Sequence, residues 1–403
     1  MIKKNYFLTN MIDNLDLKSK RVLLRADLNV PLQKTQIICD YKLQAILPTI
    51  NLLLSKGAKI ILATHLGRPK GYDPKLSTKV LLPFFIKHKY SILFECDYNQ
   101  AKKTSLEKQF DILLLENIRF FPGESCKSQE SQEFAKTLAS LGDYYVNDAF
   151  GVLHRHDTSI TLVPQLFSKV KRFLGPLVQH ELATLAQLIK NPKRPFTIVL
   201  GGGKVNTKIP IIEKLLDNLP NLDTILLCPA IVFTFLKYMN KEVGNSLVSD
   251  TLVQIIPKIL EKAKKRGIKL VYPVDYIIAK DSFEGPISYS NTNEIPQNFV
   301  GVSIGPKTTE LFSQIITESK TIFSNGTLGD ITRKETLEGM KQLFKAMAKK
   351  QKCSIIAGGD SVAAAYMFSI AKKIQYLSTG GGASLAFISG QELPGLTLFI
   401  KQS

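Results

Sequence analysis

Residues 196–210 of this 403-residue chain, FTIVLGGGKVNTKIP, are the best guide to its fold. This stretch is a short apolar run that ends in glycines and continues directly into an amphipathic segment. A continuous Val, Ile and Leu run is typical of a parallel strand buried on both faces, and open α/β sheets bind ligands at the carboxyl ends of such strands. The stretch therefore predicts a strand, a glycine-rich turn and a helix, and it directs the search for function to the turn.

The same pattern recurs along the rest of the chain, with a different ending in each half. Downstream, two more apolar runs end in glycine, SIIAGGDS at 354–361 and YLSTGGGAS at 376–384. Upstream, the apolar runs end in cationic or polar residues: RVLLRADLNV at 21–30, KIILATHLGR at 59–68, DILLLENIRF at 111–120 and YYVNDAFG at 144–151. The first half is thus suited to bind a small anion, and the second allows phosphates to approach its backbone.

Amphipathic segments separate these runs, at 42–56, 131–141, 208–219, 251–266, 308–318 and 335–349. Alternating strands and helices indicate repeated βα units, and right-handed crossovers then give mostly parallel sheets with helices on both faces. Since 403 residues are many for one core, we expect an α/β protein with two doubly wound domains. The helical run PLVQHELATLAQLIK, ended by the prolines of NPKRP, predicts a connecting helix within 176–195 whose ends act as hinges.

The composition is that of a globular protein with excess positive charge. The chain has 53 Lys and Arg against 34 Asp and Glu, a net charge of +19, and 44% of its residues are hydrophobic. Because the lysines are spread along the whole chain without a nucleic-acid recognition motif, we interpret them as a solvated surface and expect no nucleic-acid partner. No apolar stretch reaches the roughly 18 residues of a membrane span, and the start lacks the apolar core of a signal peptide. We therefore expect a cytoplasmic protein with no membrane partner.

The cysteines are odd in number, widely scattered and without CxxC spacing. This arrangement predicts neither a disulfide framework nor a zinc site. We expect reduced thiols in or near the core at Cys39, Cys96, Cys126, Cys228 and Cys353.

Cationic residues stand at or just after the ends of the upstream runs. They are Arg25, Arg68, Arg119 and Arg155, with His65 and His154 beside two of them. Taken singly, each arginine is best explained by a surface salt bridge. Because the strands of one sheet end at one edge, the whole series predicts a cluster that an anion neutralises, and an Arg fork matches carboxylate or phosphate oxygens.

Asp27 and Asn29 lie in RADLNVP, among these cations. They can orient the arginines or form hydrogen bonds with substrate hydroxyls. The other interpretation is a turn that Asx side chains stabilise before Pro31. The two interpretations are compatible.

The downstream glycine turns are suited to bind phosphates. GGGKVNTKIP places bare amides and the positive end of a helix dipole at one point, and Lys204 and Lys208 share a face if the helix has begun by then. Neither a Walker A loop nor a dinucleotide fingerprint is matched, and a plain turn explains the glycines about as well. In GGDS, Asp360 is either the N-cap of the next helix or, beside a phosphate site, a Mg²⁺ ligand.

In their order along the chain, these motifs resemble those of the phosphoglycerate kinases. The matching segments are RVLLRADLNVPL, AILPTI at 45–50, THLGRPKG, LLLENIRF, YVNDAFG with HR, RPFTIVLGGGKVNTKI, FTFL at 233–236, YPVDY, NG at 325–326, GGDS, and STGGGASL with LPG at 393–395. They cover nearly the whole chain at plausible spacings, so the chain is identified as a member of that family.

The resemblance implies reversible phosphoryl transfer between ATP and 3-phosphoglycerate, giving ADP and 1,3-bisphosphoglycerate in glycolysis, with Mg²⁺ as cofactor bound by Asp360. It implies that phosphoglycerate is held by Asp27, Asn29, His65, Arg68, Arg119, His154 and Arg155, with Arg25 supporting the cluster. The nucleotide would be bound by Gly202, Gly203, Lys208, Asn325, Gly358, Asp360 and Ser361. The residues implied in catalysis are Lys42, Lys204, Gly359 and Gly382.

The resemblance also implies how the chain is divided. Residues 1–175 would form the phosphoglycerate-binding domain, 176–190 the connecting helix and 191–387 the nucleotide-binding domain. The segment 388–403 would pack back on the first domain. The family is similar in working by hinge bending as a monomer, and we expect the same of this chain.

Two departures from the family's pattern concern the phosphoryl group and the nucleoside. The family has an arginine where this chain has Lys42, and lysine keeps the charge but lacks the planar fork. The family's GGGMAFTF appears here as CPAIVFTF at 228–235. Cys228, Pro229 and Ala230 therefore add side-chain bulk where the family has glycines.

The third departure is at NGTLGDIT, residues 325–332, where the family has NGPxGxFE. Thr332 replaces a glutamate that bonds the ribose in the family, and Glu335 is near enough in sequence to substitute for it. Two hypotheses follow: a working phosphoglycerate kinase with altered nucleotide selectivity, or a nearly inactive relative that still binds phosphoglycerate or a partner. The intact Lys204, Lys208 and Asp360 favour the first hypothesis. Lys42, Pro229 and Thr332 favour the second.

Overall fold

The computed structural model describes Ile12 and residues 15–125, 129–349 and 352–400. The chain forms two compact units. What we call the N-terminal unit contains the described residues up to Thr184 and those from Glu392 onward, and the C-terminal unit contains the described residues of Leu185–Gln391. The boundary between the units therefore falls inside one helix, Pro176–Lys190.

The N-terminal unit alternates strands with helices. Its strands are β1 (Arg21–Ala26), β2 (Leu32–Gln33), β3 (Gln36–Ile37), β4 (Lys59–Ala63), β5 (Ile92–Glu95), β6 (Ile112–Leu115), β7 (Tyr144–Asp148) and β8 (Arg172–Leu174). Its helices are α1 (Tyr41–Ser55), α2 (Leu82–Lys87), α3 (Tyr98–Glu107), α4 (Gln129–Ala139) and α5 (Thr158–Thr161), followed by α6 (Pro176–Lys190), which crosses the boundary.

The main sheet of the N-terminal unit is parallel, with strand order β5-β6-β4-β1-β7-β8. The chain starts at β1 in the middle, moves outward through β4, and then returns to the other side of β1 to form β7 and β8. With right-handed crossovers, this reversal places helices on opposite faces of the sheet. The topological switch point lies between β1 and β7, and in open α/β sheets this is where ligands bind.

The C-terminal unit repeats this plan and adds a smaller sheet. Its strands are β9 (Phe196–Leu200), β10 (Thr224–Leu227), β11 (Lys269–Val271), β12 (Tyr276–Lys280), β13 (Ile287–Ser290), β14 (Phe299–Ile304), β15 (Thr321–Asn325), β16 (Cys353–Ala357) and β17 (Tyr376–Ser378). Its helices are α7 (Val205–Asn218), α8 (Ile231–Tyr238), α9 (Asp250–Val253), α10 (Ile256–Arg266), α11 (Pro306–Glu318), α12 (Glu338–Met347), α13 (Gly359–Met367) and α14 (Gly382–Ile388).

The parallel sheet of the C-terminal unit has the order β11-β10-β9-β15-β16-β17. The switch point lies between β9 and β15, by the same reasoning. The smaller sheet is antiparallel, with the order β13-β12-β14. The predicted α/β class with two doubly wound, mostly parallel sheets is thereby confirmed.

Apolar packing explains why the strands and helices form where they do. The strands β1, β4, β6 and β9 are buried along nearly their whole length, as their continuous apolar runs predict. In α1, Leu43, Ile46, Ile50 and Leu53 recur at helical spacing and belong to the same core as β1 and β4. Burying one such side chain stabilises the fold by roughly 1.5–3 kcal/mol. This rigid core fixes the strand ends on which the candidate site is built.

Several details differ from the sequence-based expectation. The helix predicted at 251–266 is two helices, α9 and α10, because Pro257 lies in the first turn of α10 and begins a new helix there. The antiparallel sheet was not predicted. No helix within the described ranges combines the length and the apolar character needed to cross a bilayer.

The cysteines that the structure describes are free thiols. Cys228 is buried, and Cys39 and Cys353 are half-buried, as predicted. The prediction is wrong for Cys96, which follows β5 at the surface and is exposed. Cys126 lies outside the described residues.

Candidate functional site

Arg25 lies near the carboxyl end of β1, at the switch point of the N-terminal unit. Its side chain is 1% exposed, its Nε donates to Ser159 Oγ at 2.8 Å, and its Nη2 lies 3.4 Å from His65 Nδ1. Glu124 Oε1 lies 4.0 Å from the same Nη2. Because these contacts occupy the guanidinium inside the protein, Arg25 is placed to support the cluster rather than to meet a ligand.

Glu124 is a buried carboxyl group beside Arg25. It accepts hydrogen bonds from the Ser159 hydroxyl at 2.6 Å and from the Ser159 amide at 2.9 Å. Burial raises the pKa of Glu124 to about 7, although Arg25 and the bonds from Ser159 oppose that rise. Glu124 and Ser159 thus hold the Arg25 guanidinium group in place.

His65 is buried at the end of the segment that follows β4. Burial, and then the nearby cations led by Arg25, lower the pKa of His65 well below its usual value. The imidazole is therefore neutral near pH 7. A guanidinium can only donate, so Nδ1 is the acceptor toward Arg25 and Nε2 carries the proton.

Asp27 and Asn29 form the predicted turn after β1. The Asn29 amide donates to Asp27 Oδ1 at 3.2 Å, and Asn29 Oδ1 accepts from the Gly67 amide at 2.8 Å. Lys42 Nζ, in the first turn of α1, donates to Asp27 Oδ2 at 2.6 Å. Burial alone would raise the pKa of Asp27, but the charge of Lys42 and the other cations together hold it well below its usual range. Asp27 is thus an ionised partner of Lys42.

Arg119 and Arg155 converge on one carboxylate, that of Asp157. Arg155 Nε donates to Asp157 Oδ2 at 2.7 Å, and Arg119 Nη2 lies 3.5 Å from the same oxygen. Arg119 Nη1 also donates to the Gly67 carbonyl at 2.7 Å. Burial, and then the charge of Arg155, lower the pKa of Arg119, while Asp157 opposes them. Residues from separate strand ends therefore meet in one cationic cluster, as the sequence predicts.

Two further predicted residues are sequence neighbours of residues in this arrangement. Arg68 directly follows Gly67 and is exposed, and His154 is half-buried next to Arg155. The distances just described join Arg25 to His65 in one group and Asp27, Asn29, Lys42, Arg119 and Arg155 in another.

In the C-terminal unit, β9 and β15 end against each other at the switch point. Gly201 donates its amide to the Asn325 carbonyl at 3.1 Å, and Asn325 Nδ2 donates to the Gly381 carbonyl at 2.8 Å. Gly326 has φ +92, and a Cβ there would lie 2.1 Å from the Gly201 carbonyl. Only glycine fits this turn, so the glycines of the motif permit two backbones to approach closely.

Lys208 and Lys204 differ in their surroundings. Lys208 is buried in α7, and its Nζ donates to the Gly201 carbonyl and lies 3.4 Å from the Asn325 carbonyl. Burial, and then the charge of Lys204, lower the pKa of Lys208 to about 8. Lys204 is the N-cap of α7 and is exposed, beside the exposed Gly203.

The second glycine turn leads into α13. Gly358 is the N-cap with φ 109, which L side chains rarely adopt, and the helix begins at Gly359. Asp360 is exposed in the first turn, and the interpretation of Asp360 as the N-cap is wrong because Gly358 has that position. The Asp360 charge acts on Lys208, so the two motifs lie near each other. Ser361 is buried, and its hydroxyl has no hydrogen-bond partner among the described residues.

The third glycine turn ends at α14, whose N-cap is Gly381 and whose first residue is the exposed Gly382. A Cβ at Gly381 would lie 3.0 Å from Gly358 Cα, so the second and third turns lie backbone to backbone. The bare amides of the turns are therefore grouped at one edge of the sheet, where helix N-termini favour anions.

The structure also describes residues in two of the segments in which the sequence departs from the pattern of the resembled family, 228–235 and 325–332. Ala230, the N-cap of α8, has φ 70 and ψ −54, a backbone conformation that glycine adopts more easily. Thr332 is exposed, and its amide and hydroxyl both donate to Asp330 Oδ1 at 2.8 Å. Glu335 is exposed in the short 3-10 helix Lys334–Thr336.

Sequence reasoning missed three residues of the cationic cluster: Glu124, Asp157 and Ser159. Asp157 follows Arg155 by two residues in HRHDTS, and a carboxylate so close to an arginine in a loop is a usable signal. Glu124 and Ser159 carry no such signal, because their contact with Arg25 depends on how two distant loops pack.

These features define a class. A doubly wound α/β protein with a cationic cluster at one switch point and grouped glycine turns at another binds phosphorylated ligands. The family model for phosphoglycerate kinase matches residues 12–391.

Individual relatives agree with this match. The phosphoglycerate kinase of Dictyoglomus turgidum is 39% identical over 389 residues, which are 95% of this chain and 96% of that protein. The phosphoglycerate kinase of Nitratiruptor sp. is 38% identical over 393 residues, 96% of this chain and 97% of that protein. The solved structure of phosphoglycerate kinase from Coxiella burnetii is similar with a TM-score of 0.73 and 31% identity, covering 96% of this chain and 98% of the other. The chain belongs to the phosphoglycerate kinase family.

Proposed function

We propose that this chain catalyses reversible phosphoryl transfer between ATP and the carboxyl group of 3-phosphoglycerate, the glycolytic reaction that forms ADP and 1,3-bisphosphoglycerate. The observation that carries the proposal is the similarity to phosphoglycerate kinases at 39% identity along nearly the whole chain. The alternative hypothesis of a nearly inactive binding protein has no support from these relatives.

Phosphoglycerate would bind at the cationic cluster of the N-terminal unit. Its phosphate and carboxylate supply the anionic charge that grouped guanidinium forks bind. The neutral His65 would donate through Nε2, and Asn29 would orient the Gly67 loop through its 2.8 Å bond. The proposed binding residues are Asp27, Asn29, His65, Arg68, Arg119, His154 and Arg155.

The phosphates of the nucleotide would bind at the glycine turns of the C-terminal unit. The exposed Lys204 would neutralise charge on the phosphoryl group in transfer, and Lys208 would hold nucleotide phosphates, which stabilise its protonated form. Amides at Gly358, Gly359 and Gly382 would stabilise charge in the transition state, which is what such a reaction needs in place of a covalent intermediate. The remaining proposed contacts are Gly202, Gly203, Asn325 and Ser361, with Lys42 as a catalytic cation of the N-terminal unit.

Asp360 fits the requirements of a Mg²⁺ ligand. Magnesium is usually held by one or two carboxylates together with substrate phosphates. Asp360 is an exposed carboxylate in the first turn of α13, near Lys208. When bound, the ion would neutralise phosphate charge and help to position the phosphoryl group for in-line transfer.

A monomeric, cytoplasmic enzyme that works by hinge bending about 176–190 stays a prediction from the sequence. So does the assignment of phosphoglycerate to residues 1–175 and of the nucleotide to residues 191–387. Binding experiments on the whole chain can test the assignment. Substitution of the residues proposed for one substrate should weaken the binding of that substrate and leave the binding of the other unchanged.

A coupled assay with 3-phosphoglycerate and either ATP or GTP, with and without Mg²⁺, tests the proposed function. We expect turnover that EDTA abolishes and Mg²⁺ restores. Asp360→Asn should lower kcat by roughly tenfold or more, since one electrostatic contact to the transition state is weakened. Asp250→Asn is the matched control, because Asp250 is also an exposed acid in the first turn of a helix. No turnover with either nucleotide, in folded protein that binds phosphoglycerate, would overturn the proposal.

A further inference from the structure

Asp157 is a carboxylate inside the cationic cluster. One of its oxygens, Oδ2, contacts both Arg155 Nε at 2.7 Å and Arg119 Nη2 at 3.5 Å. The Asp157 side chain is only 6% exposed, so water screens these contacts weakly. The position where an anionic ligand would meet these two guanidinium groups therefore already has a negative charge beside it.

The backbone around Asp157 is fixed. Its carbonyl accepts from the amides of Ile160 and Thr161, both at 3.0 Å, at the start of α5. Arg119 is fixed as well, because its Nη1 donates to the Gly67 carbonyl. Arg155 has the most exposed side chain of the three, at 37%, and so is the easiest to move toward a ligand.

The Asp157 carboxylate affects the affinity of this cluster for anionic ligands. A small anion that approaches Arg119 and Arg155 is repelled by Asp157 and must compete with it for the same N–H donors. A ligand with a phosphate and a second anionic group can add contacts elsewhere in the cluster, whereas a single small anion cannot. Asp157 therefore lowers affinity for every anion, so that at equal concentration only the ligand with more contacts occupies the site.

We propose that Asp157 is a specificity-determining residue of the phosphoglycerate site, acting as an internal counter-ion that keeps simple anions from occupying Arg119 and Arg155. The identity of the favoured ligand rests on the proposed function. The counter-ion role rests on the contacts of Asp157 with Arg119 and Arg155 alone, so it can be tested separately.

Calorimetric titration of Asp157→Asn with 3-phosphoglycerate, and separately with inorganic sulfate, tests the role at low ionic strength. Asparagine keeps an oxygen that accepts from Arg155 but removes the charge. We expect the Kd for sulfate to fall roughly threefold or more, in the range of partly exposed charge interactions, and the Kd for phosphoglycerate to fall as well. The KM for ATP should not change.

Matched variants separate charge from other effects. Asp157→Glu keeps the charge and should bind both anions as the wild type does. Asp143→Asn removes the same charge from the Arg21 ion pair, at the opposite end of β1, and should leave both Kd values unchanged. If Asp157→Asn lacks the wild-type melting transition, Asp157→Ser carries the same expectation.

The outcomes are distinguishable. An unchanged or weaker sulfate affinity in a folded, uncharged variant overturns the counter-ion role. Tighter sulfate binding in that variant, together with a wild type that shows no turnover, supports the counter-ion role and contradicts only the proposed function. A wild type that sulfate saturates at concentrations as low as those of phosphoglycerate overturns the specificity claim.

Discussion

The sequence resemblance places Lys42 where the phosphoglycerate kinases have an arginine. Its ammonium group contacts Asp27 at 2.6 Å. An ammonium group that is bound to a carboxylate at this distance has its donors partly occupied. A guanidinium group has five N–H donors in a planar fork, so it can keep Asp27 and still offer donors to a phosphoryl oxygen. The lysine therefore preserves the charge of the site and reduces its capacity for hydrogen bonds.

We predict that Lys42→Arg raises kcat several-fold, because it restores a bidentate donor at the transferring phosphoryl group. Steady-state turnover with saturating ATP and 3-phosphoglycerate measures this. Lys59→Arg is the matched control, since Lys59 is at the start of β4 and donates to the Lys108 carbonyl, at the opposite end of the strand from the cluster. An unchanged or lower kcat for Lys42→Arg would show that the local geometry has been rebuilt around lysine.

Ala230 shows how a departure in sequence can leave the backbone unchanged. The family has a glycine there, and in this chain the alanine still has φ 70 and ψ −54. Such a conformation costs a non-glycine residue roughly 1–3 kcal/mol. The turn before α8 is therefore strained by the loss of the glycine.

We predict that Ala230→Gly stabilises the protein by about 1 kcal/mol, the relief of strain being partly offset by the extra freedom of glycine in the unfolded chain. Denaturant unfolding of the variant and the wild type measures this change in the free energy of unfolding. Ala383→Gly, in the first turn of α14, is the control and should lose stability, because there glycine relieves no strain. A loss of stability in Ala230→Gly as large as that in the control would contradict the account of the turn.

At the scale of elements, Asp148 joins three of them. It ends β7, its Oδ1 accepts from the Val178 amide at 2.8 Å in the first turn of α6, and its Oδ2 accepts from the Thr49 hydroxyl of α1. Burial raises the pKa of Asp148 to about 7, although these hydrogen bonds oppose that rise. The start of α6 is therefore anchored to the parallel sheet by a carboxyl group that is protonated below about pH 7.

We predict that the free energy of unfolding falls as pH rises from about 5 to 7. Asp148 and Glu124 have pKa values near 7 in the folded protein and ordinary, lower values when unfolded, so the folded state binds more protons in this range. The stabilising contribution of these two carboxyl groups is complete below their pKa in the unfolded chain. It is lost as pH rises through their pKa in the folded protein. The loss is on the order of 3 kcal/mol for each group.

Denaturant titrations at pH 5, 6 and 7 measure this dependence. Asp148→Asn, which resembles the protonated carboxyl, should reduce the slope. Asp143→Asn should not, because the pKa of Asp143 is lowered on folding and its contribution changes at more acidic pH. A stability that stays level or rises over this range would show that the buried carboxyls are ionised.

The elements could be predicted to different extents. The strand ends and glycine turns were predictable because continuous apolar runs and glycines encode them locally, as in β9 and the turn before α7. The antiparallel sheet was missed because β13 is only partly buried and lacks a long apolar run. The contacts of Glu124 were missed because they depend on how loops from separate strands pack, which no local pattern encodes. Asp157 was missed although its position two residues after Arg155 is a local signal.

At the scale of the whole molecule, each unit has its own switch point and its own type of candidate anion-binding group. Side-chain guanidinium groups and histidines serve one unit, and backbone amides with two lysines serve the other. Side chains can be matched to the shape of one small anion, whereas bare amides accept the phosphates of a nucleotide with less selectivity for the rest of the ligand. This division agrees with a family whose two substrates both carry phosphate.

The central claim is that the γ-phosphoryl group of ATP moves to the carboxyl group of 3-phosphoglycerate. The most direct measurement supplies γ-labelled ATP, 3-phosphoglycerate, Mg²⁺ and hydroxylamine, which converts an acyl phosphate to a hydroxamate and releases its phosphate. Hydroxamate and labelled phosphate should form in equal amounts, and the formation of both should require phosphoglycerate. Labelled phosphate without hydroxamate, or no consumption of ATP by folded protein, would contradict the claim.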